Sequence, residues 1–378
     1  MNTRKIMIVA GEASGDLHGG NLVRAIHRFD PDLSFYGVGG ARMKAAGVEL
    51  IADVADMAVV GLTEVVFKLG SILRIMHRLK TALAKEPPDL VILIDYPDFN
   101  LPLARAARKS GVKVLYYISP QVWAWRKGRI ATIRSSVDRM AVILPFEEHF
   151  YREAGMDVTF VGHPLLDEMK KTYARIEALK RFGLKDEAIT VGLLPGSRRS
   201  EVTRLLPEML RACRILNTKL SPLQFVLPLA GTLDPDLVHD ILRQFPVPVH
   251  VIRNEIYDAI AISDVAIVAS GTATLETALM ETPMVVVYKV SAFSYIIGRM
   301  FIHVDHISLA NIIAGRAIVT ELIQDEANPE RIAAEAKDLL VSRGKAKEMK
   351  VALAEIREKL GTPGASQRTA KIAWEMLH

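Results

Sequence analysis

DVAIVASGTATLETALMETPMVVVY, residues 264–288, reads without a break as strand, short Gly/Thr turn, helix, proline stop and strand. Residues 265–268 are an apolar run, and Ser270, Gly271 and Thr272 follow it at once, which is how a parallel strand passes into the N-terminus of a helix. Ala273, Leu275, Ala278 and Leu279 then recur at helical spacing, and Pro283 closes the helix before the next strand at 284–288. The backbone N–H groups of residues 271–273 are thereby free for a ligand phosphate. Any crossover between parallel strands needs a small-residue turn, so the loop alone is a weak signal. Glu276, one turn on, strengthens it, because an acidic side chain near a helix start can accept hydrogen bonds from ribose hydroxyls. The helix dipole alone would also favour it there.

The same alternation extends outward on both sides. Towards the N-terminus of this half, residues 189–194, 224–229 and 249–252 read as further strands separated by helical patterns. Another set, 5–10, 34–38, 90–94, 114–118, 139–144 and 158–161, fills the first half of the chain. Two doubly wound α/β domains follow, each with a parallel sheet. Gly162-His163-Pro164 ends the first set, so the domains are expected at 1–165 and 166–350, with His163 read as a hinge rather than a catalytic group. Residues 169–185 read as a charged helix. Residues 351–378 read as a basic tail bearing Trp374, helical and packed back on the first domain.

Composition bounds the function. The chain has 378 residues, 50% hydrophobic and 24% charged, a globular composition long enough for two cores. The net charge of +5 is a mild excess that suits anionic ligands or an anionic membrane face better than a nucleic-acid groove. Cys213 is the single cysteine, which excludes an intrachain disulfide framework, and acidic Glu12 comes too early for a signal peptide, so a cytoplasmic chain is expected. The longest run free of Asp, Glu, Lys and Arg, residues 220–233, is broken by Pro222 and Pro228 and falls short of the ~20 apolar residues of a spanning helix.

Several stretches carry candidate chemistry. Leu194-Pro195-Gly196-Ser197-Arg198 places backbone donors and an Arg fork at a helix start, a second anion site; the alternative is a solvated arginine at a cap. Asp95 follows the strand at 90–94, where carboxylates face the ligand crevice, and Asp98 reads as the cap of the next helix. The loop 119–126, SPQVWAWR, brings Trp123, Trp125 and Arg126 together, able to support a sugar or to plug a core. Residues 57–80 are apolar and basic together; taken alone, a crossover helix with a solvated face is favoured over a membrane or acyl-chain contact. The turn GEASGDLHGG after the first strand does not match GxGxxG, and no acidic residue closes a second strand, so a nicotinamide cofactor is rejected. Asp30-Pro31-Asp32 and Asp234-Pro235-Asp236 read as turns or helix starts, and no His/Cys cluster offers a metal site.

Taken in order, Gly11-Glu12-Ala13-Ser14-Gly15-Asp16, DYPDFN at 95–100, SPQVWAWR, FVGHP at 160–164, LLPGSR at 193–198 and ASGTATLE at 269–276 resemble the lipid-A-disaccharide synthases over nearly the whole chain. The resemblance implies a GT-B fold, two Rossmann-like domains facing a cleft, with the acceptor on the N-terminal half and the nucleotide on the C-terminal half. It implies an inverting transfer of 2,3-diacylglucosamine from its UDP conjugate (UDP-diacylglucosamine) to 2,3-diacylglucosamine 1-phosphate, forming a β-1,6 disaccharide and UDP, without metal or cofactor. Gly196, Ser197, Arg198 and residues Ser270, Gly271, Thr272 and Ala273 would hold the diphosphate, Glu276 the ribose, and Asn311 would lie near the donor. Asp95 would be the general base, with Asp98 its competitor, and Gly11, Glu12, Ser14, Gly15 and Asp16 would face the acceptor. Tyr96 is bulkier than the residue the family has at that place. Lipid-linked substrates turn the reading of 57–80 towards acyl or membrane contact, hence a cytoplasmic enzyme peripheral to the inner membrane; a homodimer is left open. The rivals are an enzyme like UDP-N-acetylglucosamine 2-epimerase, of the same fold but needing no acyl surface, and a nucleotide-sugar-binding protein without chemistry.

Overall fold

The computed structural model describes residues 4–57, 62–123, 128–291, 295 and 305–378, the side chains of 62–69 excepted. Two compact units form: unit 1 from residues 1–167 with 360–378, and unit 2 from residues 168–359.

Unit 1 is built on a seven-stranded parallel sheet of β1 (Lys5–Ala10), β2 (Ser34–Gly39), β3 (Val48–Asp53), β4 (Leu90–Ile94), β5 (Lys113–Tyr117), β6 (Arg139–Val142) and β7 (Val158–Phe160), in the order β3-β2-β1-β4-β5-β6-β7. Its central strands are apolar at nearly every position because helices cover both faces. Alternate residues serve opposite cores. Met7, Val9, Val91, Leu93 and Tyr116 pack on one face, and Ile6, Ile8, Leu90, Ile92 and Tyr117 on the other. The second core also takes Ala370, Ile372, Ala373 and Met376 from the last helix, Ala365–Leu377, which lies against the first, Ala13–Ile26.

Strand β3 was not legible beforehand. Its VELIAD sequence has acidic residues near both ends and is only partly buried, as an edge strand allows. The helix Leu62–Lys85 follows, burying Ile75, Leu79 and Leu83.

Unit 2 has a six-stranded parallel sheet of β8 (Ile189–Leu194), β9 (Leu223–Leu229), β10 (Val249–Arg253), β11 (Val265–Ala269), β12 (Met284–Tyr288) and β13 (Thr320–Ile323), ordered β10-β9-β8-β11-β12-β13. Edge strand β13 also escaped the sequence reading, being four residues long and carrying Glu321. The helix expected over 169–185 is confined to Arg175–Arg181, after the end of a short turn of helix at Leu165–Glu168. Residues between them are held out of helix by Asp258, whose Oδ1 accepts the backbone N–H of Thr172 (2.8 Å) and Tyr173 (3.0 Å).

Each sheet reverses its strand order once, between β1 and β4 in unit 1 and between β8 and β11 in unit 2. At such a switch point the loops leaving the two strands diverge to opposite faces and open a crevice at the carboxyl ends. In unit 1 those loops are GEASGD and DYPD; in unit 2 they are LPGSR and SGTAT.

Candidate active site

In unit 1, β4 ends in two successive left-handed residues that bear side chains, Asp95 and Tyr96, both at φ +46°. Each such residue costs roughly 1–3 kcal/mol and persists only where its surroundings fix it. Here the Asp95 N–H extends the ladder to the Tyr117 carbonyl (3.1 Å), while its own carbonyl leaves the sheet and accepts from Asn100 Nδ2 (2.7 Å) and Tyr116 OH (2.5 Å). The turn sets the Asp95 carboxyl at the crevice, half-buried. Burial and the nearby Glu12 carboxylate push its pKa up to about 6, against smaller opposing influences of the Tyr96 backbone N–H and of His18.

Asp98 is placed differently. It is exposed on the first turn of the helix Pro97–Lys109 and pairs with Arg129. Of the two aspartates, Asp95 has the environment of a base poised near neutral pH.

The remaining unit 1 candidates separate into contact and support. Glu12 and Ser14 are exposed at the start of the helix Ala13–Ile26. Gly11 is buried beneath the Tyr96 ring, and Gly15 lets the helix close on Ala10 and Ile94. Asp16, expected to face the acceptor, is bound to the backbone. Its carboxylate is buried and accepts the backbone N–H groups of Gly40 (2.6 Å), Arg42 (3.0 Å) and Met43 (3.0 Å), holding the start of the helix Ala41–Ala45. An acidic residue six places after a strand looks the same in sequence whether it meets a ligand or a neighbouring helix.

His163 is buried and neutral, its pKa lowered to about 3 by burial and by His18. Its Nδ1 accepts from the Leu165 backbone N–H (3.2 Å), and the His163 backbone N–H donates to the Leu360 carbonyl (3.0 Å). In the loop after β5, Ser119 Oγ (3.0 Å) and Trp123 Nε1 (3.2 Å) both donate to Glu147 Oε1, and Trp123 packs edge-on against Phe146. Trp123 is therefore a wedge in the fold. Burial raises the pKa of Glu147 to about 7. Glu147 was missed because it lies inside an ordinary amphipathic helix, three residues after Leu144. Ala124, Trp125 and Arg126 lie outside the described residues, as do 58–61 of the 57–80 segment. Further along that segment Leu73 is exposed, beside exposed Arg74 and Arg78.

In unit 2, β8 runs into Gly196 at φ +107° and then into the helix Arg199–Lys219. The backbone donors expected to meet an anion are already engaged: Glu201 Oε2 accepts the N–H of Ser197 (3.1 Å) and of Arg198 (3.2 Å). Gly196 is required because a Cβ there would lie 2.3 Å from that same oxygen. What remains for a ligand is the Arg198 side chain, largely exposed and lightly held by Glu201 Oε1 at 3.2 Å.

The other loop is open. Gly271 has φ +149°, and no side chain among the described residues caps the helix Thr272–Leu279 that follows; the Thr274 N–H donates to the Gly271 carbonyl (3.1 Å), which leaves the N–H groups of exposed Thr272 and half-buried Ala273 as the donors on offer. Ser270 Oγ donates to the Ile307 carbonyl (2.8 Å). Glu276 is half-buried, its pKa raised to about 7 by burial and by Glu168. Asn311, expected near the donor, is buried and fully bonded. Its amide donates to Val319 O (3.0 Å) and Glu321 Oε1 (2.8 Å) and accepts from the N–H of Ile318 (2.8 Å) and Val319 (3.0 Å), which uses every bond it can make. Glu321 in turn accepts from the Ile307 and Ser308 N–H groups, so Asn311 supports the segment on which Ser270 rests.

The family model for lipid-A-disaccharide synthetase matches residues 6–375. A lipid-A-disaccharide synthase of Syntrophus aciditrophicus is 59% identical over 378 residues, 100% of this chain and 99% of its own. One from Geobacter sulfurreducens is 52% identical over 375 residues, covering 99% and 98%. Among solved structures, UDP-N-acetylglucosamine 2-epimerase from Neisseria meningitidis bound to UDP-GlcNAc superposes with a TM-score of 0.69 at 13% identity, over 98% of this chain and 100% of that one. The calicheamicin glycosyltransferase CalG4 superposes with 0.59 at 17%, over 100% and 99%. These likenesses carry the two-domain α/β fold.

Proposed function

This chain belongs to the lipid-A-disaccharide synthase family, and we propose that it transfers 2,3-diacylglucosamine from UDP-2,3-diacylglucosamine to O6 of 2,3-diacylglucosamine 1-phosphate, with Asp95 as general base. The observation that supports the residue assignment is that four of the six motif stretches lie at the two switch points, one bearing the Asp95 carboxylate and the other the Arg198 side chain and the start of the helix Thr272–Leu279.

The chemistry divides between the units. Unit 1 supplies the base: Asp95 takes the proton of the acceptor hydroxyl as its oxygen forms a bond to C1 of the donor sugar. The bond from C1 to the diphosphate oxygen breaks on the opposite face, which inverts the configuration and gives the β linkage. A hydroxyl is a poor nucleophile until its proton is accepted, and a carboxyl with a pKa near 6 is ionised at neutral pH yet more basic than an ordinary aspartate. Glu12 and Ser14 are assigned to the acceptor side.

Unit 2 stabilises the leaving group. Negative charge grows on the departing UDP, and the N–H groups of Thr272 and Ala273 with the Arg198 guanidinium are donors for it. Glu276 takes the ribose hydroxyls. The epimerase-like neighbours share the fold only, so they favour no second reading.

Both substrates carry acyl chains, and no helix among the described residues is long and apolar enough to cross a membrane. Exposed Leu73 with Arg74 and Arg78 supports peripheral contact with an anionic bilayer. Purified protein incubated with UDP-2,3-diacylglucosamine, with and without the 1-phosphate acceptor, tests the reaction: UDP release that depends on acceptor is expected. Equal release in both tubes, or none, rules it out. Retention on carbonate-washed membranes would exclude a peripheral attachment.

A further inference from the structure

The two left-handed residues at the end of β4 are held by two side chains to which the sequence assigned no role, Asn100 at the end of the DYPDFN stretch and Tyr116. Asn100 and Tyr116 are both completely buried. Asn100 comes from the first turns of the helix Pro97–Lys109 and sends its amide protons back to two consecutive carbonyls, those of Ile94 (3.1 Å) and Asp95 (2.7 Å). Tyr116 stands on the neighbouring strand β5 and reaches the same Asp95 carbonyl from the side, 2.5 Å away.

The arrangement is costly and therefore informative. Asn100 Oδ1 is buried with no hydrogen-bond partner among the described residues, so the side chain is kept for what its amide nitrogen does. Both contacts converge on a single peptide group, the one joining Asp95 to Tyr96. An ordinary continuation of β4 would leave that carbonyl in the sheet and turn the Asp95 side chain to one of the two apolar cores. With the carbonyl captured out of the sheet, the residue is locked at φ +46° and its carboxyl comes to the crevice.

We propose that Tyr116 and Asn100 are positioning residues for the transfer step, gripping the Asp95 main-chain carbonyl and so fixing the turn that orients its carboxylate. This rests on the reading of Asp95 as the base. Neither residue touches substrate. Their effect passes entirely through Asp95, so it falls on the chemical step and on the protonation of the base, and leaves the donor site in unit 2 alone.

The test compares Tyr116→Phe, Asp95→Asn and the double variant with the parent in detergent micelles containing both lipid substrates, over a range of pH and beside melting curves. Tyr116→Phe keeps the ring and removes only the donor. Turnover is expected to fall roughly 10- to 100-fold with donor KM unchanged, the scale of a slightly misplaced catalytic group. The acid limb of kcat should move down towards the ordinary carboxylate range as the freed carboxyl gains solvent. In the double variant the tyrosine change should cost nothing beyond Asp95→Asn alone, because residues acting as one unit are not additive. Asn100→Ala should repeat the Tyr116→Phe pattern wherever its melt shows it folded.

A parent-like rate and acid limb in Tyr116→Phe, with Asp95→Asn inactive, would overturn the proposal and leave the base assignment standing. So would a full further loss in the double variant. An active Asp95→Asn enzyme would remove the base assignment itself, and this proposal with it.

Discussion

Gly11 and Tyr96 meet across the two loops of the unit 1 switch point: a Cβ on Gly11 would lie 2.2 Å from Cδ1 and 2.3 Å from Cγ of the Tyr96 ring. No real side chain tolerates that approach, so the bulk of Tyr96 is accommodated by the absence of a side chain opposite. Gly11→Ala must therefore displace Tyr96, and Asp95 is its peptide neighbour. Turnover in Gly11→Ala is expected to fall roughly 10- to 100-fold. Adding Tyr96→Gly clears the ring and accepts the left-handed backbone, so the double variant should recover part of the loss. Rates for the two variants side by side check this; an active Gly11→Ala enzyme would show that the contact does not set the position of Asp95.

Asp95→Asn is expected to lower turnover roughly 10²- to 10⁴-fold, the range for a missing general base, with donor KM nearly unchanged. Asp98→Asn, which breaks an exposed pair with Arg129, should cost far less. In the parent enzyme kcat should rise with pH through about 6, where Asp95 ionises. Stability runs the other way. A folded pKa above the unfolded value near 4 means that the native state binds the extra proton, so Asp95 destabilises the fold increasingly from about pH 4 to 6 and fully above it. Asp95→Asn should thus melt higher than the parent at pH 8 and equally at pH 4. A larger turnover loss in Asp98→Asn than in Asp95→Asn would reverse the assignment.

The parallel sheets were legible because buried strands such as LVILI and VAIVA are apolar at every position and are followed at once by turn residues. Edge strands β3 and β13 were not, since half-burial lets polar residues in and erases the pattern. Candidate site residues were legible by chain position, at strand ends, but position does not say where a side chain turns. Asp16 and Asn311 turn inward and saturate backbone groups, whereas Asp95 and Arg198 remain available. The supports Tyr116, Glu147 and Glu321 act across 13 to 28 residues of sequence, which no local pattern records, while Asn100 and Glu201 act within six residues but look like ordinary helix-start residues.

Glu276 gives the donor site its own pH dependence. Its pKa near 7 in the free protein belongs to a half-buried carboxyl beside Glu168. Ribose hydroxyls donate to the ionised form, so binding should favour loss of the proton, and UDP affinity should weaken as pH falls through 7. One proton limits the effect to less than about tenfold per pH unit. Calorimetric titration of UDP between pH 6 and 8.5 should show this slope in the parent and a flat, weaker profile in Glu276→Gln. An identical slope in the variant would place the titrating group elsewhere.

Arg198 is the residue whose substitution separates a ligand contact from a cap. Glu201 already satisfies the backbone at Ser197 and Arg198, so the arginine side chain is not needed to start the helix. Its pairing with Glu201 is exposed and worth at most about 1 kcal/mol. Arg198→Ala should therefore leave the melting temperature almost unchanged. Against a diphosphate the same side chain contributes charge-assisted bonds of roughly 1.5–3 kcal/mol each, so kcat/KM for the donor should fall about 10- to 150-fold. Arg198→Lys should restore only part of this, because an ammonium keeps the charge and loses the two-pronged geometry. The acceptor KM should not move. Unchanged donor kinetics in Arg198→Ala, with a normal melt, would take Arg198 out of the donor site and leave the first turn of the helix Thr272–Leu279 as the sole anion contact proposed in unit 2.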